Sequence, residues 1–202
     1  MIKLGFLASN NGSGMRAVVN AIEAGVIDAR ACLTISNRKH APALEFAREH
    51  GLSALHIPTT PDEVLADQRL AEALSASAVD WVLLSGYLRK LGPVTLDAFK
   101  DRILNIHPSL LPNFGGKGMY GRRVHEAVLG AGETESGASV HLVDEEYDHG
   151  RVLAQVRVPV LPGDTPENLE RRVMSAEPGL YVDLLKRICA SPNSSVISDN
   201  IS

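Results

Sequence analysis

The sequence predicts an α/β protein: a doubly wound, mostly parallel sheet with helices on both faces and an antiparallel extension near the C-terminus. Two observations predict the parallel part. Short apolar, β-rich runs alternate with helical patterns over residues 2–107. Strand 80–85, Asp-Trp-Val-Leu-Leu-Ser, is nearly continuously apolar, as strands covered on both faces are. A third observation predicts the extension. Residues 137–143 and 151–160 both alternate like strands, and the stretch 144–150 between them is too short for a crossover helix.

The elements follow in order. Residues 2–8 form the first strand, 10–14 a turn, and 15–24 the first helix. Residues 31–36 form the second strand, followed by a helix over 41–50 and a short third strand over 53–57. A helix spans 61–77, with Asp62 and Glu63 in its first turn, where the helix dipole favours acids. The fourth strand is 80–85 and the fifth 102–107. After the antiparallel pair, a long helix over 165–189 closes the fold. One domain over residues 1–190 is expected, and a polar tail over 191–202 without periodicity is expected to be disordered.

Composition narrows the function. The 202-residue chain is 45% hydrophobic and 22% charged, ordinary for a globular protein. Its net charge of -4 argues against a broad nucleic-acid surface. The N-terminal apolar run is too short for a signal peptide, and no run approaches a membrane span. Cys32 and Cys189 lie far apart, with neither zinc nor disulfide spacing, so reduced thiols in a cytoplasmic protein are expected.

The segment Leu104-Asn105-Ile106-His107-Pro108-Ser109-Leu110-Leu111-Pro112 carries the most chemistry. On a strand, Asn105 and His107 share one face and Leu104 and Ile106 the other. A carboxamide can donate to a developing oxyanion, and an imidazole can move a proton. The plainer alternative makes Asn105 a turn cap and His107 a core histidine.

The turn Ser9-Asn10-Asn11-Gly12-Ser13-Gly14-Met15 joins the first strand to the first helix. Glycines and a helix N-terminus suit a phosphate. Gly12 to Ala17 also fits the dinucleotide pattern G-x-G-x-x-A. Asn37-Arg38-Lys39, at the end of the second strand, would suit the 2′-phosphate of NADP, so an oxidoreductase stays in competition. A tight turn without a ligand is a further alternative. The G-K-[ST] arrangement of a P-loop is absent.

The acidic segment from Asp144 to Gly150 is expected to form a loop at the sheet edge. An aspartate there within reach of His107 would raise the imidazole's pKa and favour imidazolium. His141, inside a strand, is taken as structural, and His40, His50, His56 and His125 as surface or packing residues. No cluster has metal-ligand spacing.

Taken together, NIHPSLLP, the SNNGSG turn, and SVHLVDEEYDHG followed by Gln155-Val156 resemble the phosphoribosylglycinamide formyltransferases, folate-dependent enzymes of purine biosynthesis. The resemblance runs from about residue 2 to residue 188. SLLP alone is shared with methionyl-tRNA formyltransferase, which adds a C-terminal domain. The formyltetrahydrofolate deformylase shares the core and adds an N-terminal regulatory domain. Neither addition has a counterpart in this sequence.

The resemblance implies transfer of a formyl group from 10-formyltetrahydrofolate to 5-phosphoribosylglycinamide without a metal. A hydrolase on the same core is the nearest alternative. It implies that Gly12, Ser13 and Gly14 grip the substrate phosphate and that Glu177 binds its ribose. Leu88, Arg89, Lys90 and Leu91 match the pterin segment, and Arg69 a basic residue of the folate site. Val143, Asp144, Glu145, Glu146 and Tyr147 match the loop around the pterin. Asn105, His107 and Asp148 match the catalytic trio, with Asn105 and a protonated His107 stabilising the tetrahedral oxyanion. Small-molecule substrates, no nucleic acid or membrane, and a monomer or homodimer are expected. Three positions depart from the family pattern. Gly14 stands where asparagine is common, Pro178 where histidine is common, and the glycine-rich loop over 113–121 is long enough to form a flap.

Overall fold

The computed structural model describes residues 1–190, so the predicted tail over 191–202 lies outside the described residues. Seven strands and six helices follow in the order β1 (Ile2–Leu7), α1 (Ser13–Glu23), β2 (Ala29–Ser36), α2 (Pro42–Glu49), β3 (Ser53–His56), α3 (Glu63–Ala76), β4 (Trp81–Leu84), α4 (Pro93–Ala98), β5 (Ile103–His107), α5 (Arg122–Gly130), β6 (Glu135–Leu142), β7 (Val152–Pro159) and α6 (Pro166–Ala190).

The strands form one sheet in the order β3-β2-β1-β4-β5-β6-β7. The strands from β1 to β5 pair in parallel. β6 pairs antiparallel with β5, and β7 antiparallel with β6, as the lack of room for a crossover predicts. The chain winds from β1 to one edge and returns to β4 on the other side of β1. That reversal opens a crevice at the carboxyl ends of β1 and β4, where α/β sheets bind ligands. The loops after β1, β4 and β5 all emerge at this end.

Side-chain alternation distributes the core over both faces. Leu4, Phe6 and Ala8 pack with α1, α2 and α6. Leu7, at an intervening position, packs with Leu70 and Leu74 of α3. Burying a large aliphatic side chain contributes about 1.5–3 kcal/mol, so each face holds its helices firmly. Tyr181 of α6 is fully buried, and its hydroxyl donates to the Leu84 carbonyl at 2.7 Å, tying α6 to β4.

Two helices exceed the sequence expectation. α4 is only six residues long and is held from outside. The Asp67 carboxylate on α3 accepts from Val94 N–H at 2.9 Å, Thr95 N–H at 3.2 Å and the Thr95 hydroxyl at 2.6 Å. α5 buries Val124, His125 and Val128 on one face, a short amphipathic pattern hidden behind the glycine loop. Asp62 is not in the first turn of α3. It is the N-cap, accepting from Leu65 N–H at 2.9 Å. Among the described residues, no helix is long and apolar enough to cross a membrane.

Candidate active site

The loop after β1 is built to leave backbone amides free. Gly12, the N-cap of α1, has φ 65°, a left-handed conformation that favours glycine. No side chain caps this helix end. Met15 N–H is taken by the Ser85 hydroxyl at 3.0 Å. Ser9 binds the neighbouring loops together: its hydroxyl donates to Asn37 Oδ1 at 2.6 Å and accepts from Leu88 N–H at 2.8 Å. The Arg38 guanidinium donates to the Asn10 side chain. The Asn37-Arg38 pair considered for an NADP phosphate therefore bonds the β1 loop.

Asn105 and His107 leave β5 opposite β6, where Asn105 pairs in register with His141 and His107 with Ser139. His107 is 3% exposed. Its Nε2–H donates to the Phe114 carbonyl at 2.8 Å, and Nδ1 lies 3.4 Å from Asp148 Oδ2. His141 is 2% exposed. Its Nδ1–H donates to the Leu142 carbonyl at 2.8 Å. Its Nε2 lies 3.1 Å from Asn105 Nδ2 and 3.4 Å from Asp148 Oδ1. These proton placements follow from the bonding partners. Asp148 thus sits between two imidazoles, one facing each carboxylate oxygen. Its backbone has φ 56°, and Gly116 N–H donates to Oδ2 at 3.0 Å.

The turn that carries this site is pinned from β6. The Ser139 hydroxyl donates to the Ser109 carbonyl at 2.6 Å and accepts from Leu111 N–H at 3.0 Å. The Gln155 amide donates to Ser139 Oγ at 2.8 Å and to the Leu111 carbonyl at 2.9 Å.

The surroundings of His107 act on its charge in opposite directions. Burial lowers its pKa, outweighing the raising effects of Asp148 and the Phe114 carbonyl, while His141 lowers it further. His107 is therefore biased toward neutral imidazole. Burial pushes the Asp148 carboxyl up, but the two facing imidazoles and the Gly116 N–H together hold it below its ordinary value. Burial alone raises Glu177 to about 7. Burial raises Tyr87 to about 12, against the nearby Arg89.

Two cavities that share a wall lie at this end of the sheet. One of about 490 Å³ lies between α3 and the loop after β4, and Leu88, Arg89, Lys90, Leu91 and Tyr147 help line it. A second of about 90 Å³ reaches Asn105, His141 and Asp148. Tyr87, Arg89, Lys90, Leu91 and Tyr147 line both. Lys90 Nζ stands 5.7 Å from the centre of the Tyr147 ring, linking two rims of the cleft.

Most of the predicted binding residues converge here, and some do not. Val143, Asp144 and Glu146 line the smaller cavity, and Glu145 lines neither. Arg69 is exposed on α3 and lines neither, so the structure does not bring it to the cleft. His107 also lines neither cavity; the histidine at the smaller one is His141. His141, expected to be structural, is the main omission of the sequence reading. Its signal was the Ser139-x-His141 alternation beside Asn105-x-His107, which becomes informative only once the two strands are paired. Gly12, Ser13 and Gly14 stand at the start of α1, beside α6. Glu177 is one turn before Tyr181, whose ring packs against Gly14. Among the described residues, no group of three or more His, Cys, Asp or Glu side chains is placed to hold a metal ion.

A family model described as formyl transferase matches residues 2–185. The chain belongs to the formyl transferase family. Among family members, it is 43% identical to the chloroplastic phosphoribosylglycinamide formyltransferase of Arabidopsis thaliana, over 93% of this chain. It spans only 65% of that plant protein's length. It is 33% identical to the phosphoribosylglycinamide formyltransferase of Haemophilus influenzae, covering 92% of this chain and 86% of that one. Glycinamide ribonucleotide transformylase 1 from Symbiobacterium toebii superposes with a TM-score of 0.87 at 39% identity, covering 95% of this chain and 89% of that one. The parallel sheet with its antiparallel β5-β6-β7 end is therefore the family fold.

Proposed function

We propose that this chain transfers the formyl group of 10-formyltetrahydrofolate to the amine of 5-phosphoribosylglycinamide, a step of purine biosynthesis. The carrying observation is the convergence of the Asn105 carboxamide and the Asp148 carboxylate on one small cavity that opens beside a larger cleft. The names of the Arabidopsis and Haemophilus relatives support the choice of acceptor.

The residues divide the work as follows. The amine nitrogen attacks the formyl carbon, forming a C–N bond and a tetrahedral oxyanion. The Asn105 amide donates to that oxyanion; such a donor is typically worth a factor of about a hundred or more in rate. Asp148, held ionised, accepts the amine proton, directly or through one water. The bond from carbon to the folate nitrogen then breaks, and the same proton passes to that nitrogen. His107, whose two ring nitrogens face the Phe114 carbonyl and the Asp148 carboxylate, holds Asp148 in place. The free amides at Ser13 and Gly14 take the substrate phosphate, and Glu177 takes its ribose. The side chains from Tyr87 to Leu91, with Tyr147, enclose the pterin. Free Cys32 and Cys189 suit a reducing compartment, and we place the enzyme in the cytoplasm.

One assay tests this reading. Pterin absorbance is followed with 10-formyltetrahydrofolate as donor, with and without 5-phosphoribosylglycinamide. Turnover that depends on the acceptor is expected. Formate release at the same rate without acceptor would instead identify a hydrolase, and no turnover with either would overturn both.

A further inference from the structure

A carboxamide helps an oxyanion only if its nitrogen, not its oxygen, faces the charge. The terminal torsion of asparagine is broad and roughly two-fold, so the backbone of Asn105 does not choose between the two orientations. Something beside it must. Asn105 and His141 are register partners on β5 and β6, and Asn105 Nδ2 lies 3.1 Å from His141 Nε2. Both side chains line the smaller cavity.

We infer that His141 is a positioning residue for Asn105: its Nε2 lone pair takes one amide hydrogen and leaves the other for the reacting oxygen. This rests on the formyl-transfer reading above. The tautomer carries the step. His141 Nδ1 faces the Leu142 carbonyl at 2.8 Å, an acceptor that holds a proton on that nitrogen. In a neutral imidazole the other nitrogen is then an acceptor. Of the two groups facing it, the amide is the nearer, at 3.1 Å against 3.4 Å for Asp148 Oδ1. Asp148 Oδ2 takes its own hydrogen bond from Gly116 N–H. His141 thus acts through Asn105. A reversed amide would place its oxygen against the lone pair.

The test uses the full chain and four variants, with kcat and KM for both substrates and 15N chemical shifts of the His141 ring. His141→Phe removes the acceptor and is expected to lower kcat about tenfold, the worth of roughly one net hydrogen bond, with little change in either KM. His141→Gln, whose Oε1 can accept from the amide, recovers most of that loss. In an Asn105→Ala background, His141→Phe costs nothing further, because the group it positions is gone. The 15N spectrum shows Nδ1 protonated and Nε2 unprotonated. Wild-type kcat in His141→Phe, Gln as poor as Phe, an undiminished Phe penalty in the Asn105→Ala background, or a protonated Nε2 would each overturn the inference. Should the wild-type chain show no formyl transfer, that defeats the functional reading, and the ring tautomer still decides the inference. The same spectrum and His141→Gln decide it should the Phe variant fail to fold.

Discussion

Gly14 and Tyr181 are in such close contact that a Cβ at position 14 would lie 2.9 Å from the Tyr181 ring. A side chain at position 14 would therefore have to push α1 and α6 apart. Gly14→Ala is expected to destabilise the chain by about 1–3 kcal/mol, the usual cost of overpacking a buried site. Thermal melting checks it. A Gly14→Ala variant as stable as wild type would show that α1 and α6 can separate without cost.

Asp67 organises α4 from a distance. Asp67→Ala leaves two backbone N–H groups and the Thr95 hydroxyl without their acceptor. A loss of about 2–3 kcal/mol in urea unfolding is expected, since bonds to a charged acceptor are the stronger kind. Asp67→Asn should lose less, because one amide oxygen still accepts. Equal losses in the two variants would mean that packing against Gly92, not hydrogen bonding, sets the cost.

The acid side of the stability profile follows from two buried histidines. Burial lowers both His107 and His125. A lowered folded pKa means that the unfolded chain binds the proton more readily. The stability these groups confer is present above the unfolded value of about 6.5 and is lost as pH falls through the folded values. Melting temperature is expected to drop between about pH 7 and 5, and His107→Gln should flatten part of that drop. A profile unchanged in His107→Gln would contradict the neutral-imidazole assignment.

Glu177 acts with the opposite sign. Its folded pKa is raised to about 7, so its contribution is present below the unfolded value of about 4.3 and is lost as pH rises through about 7. Glu177→Gln cannot ionise. Its melting temperature should gain on wild type as pH rises from about 5 to 8. A difference independent of pH would show that Glu177 is not desolvated.

What the sequence revealed and what it hid have separate physical causes. The strands were visible because each is a short apolar run with its own turn signals, and pattern alone places them within a residue or two. α4 was hidden because its cap, Asp67, belongs to another helix. α5 was hidden because two valines four apart are a faint signal beside nine residues of glycine-rich loop. Asn105, His107 and Asp148 could be named from motifs, but the pKa of His107 depends on burial, which no motif carries. His141 emerged only from the register of β5 against β6. Arg69, a basic residue matched by family pattern, lies exposed on α3 outside the cleft lining.

The most direct test of the proposed chemistry is turnover of Asp148→Asn. Asparagine tolerates the left-handed backbone at φ 56°, so the substitution removes the charge with little strain. If Asp148 moves the amine proton, kcat for formyl transfer falls at least about a hundredfold while KM and melting temperature change little. Turnover within a few fold of wild type would contradict it and leave Asp148 only a structural tie between His107, His141 and Gly116.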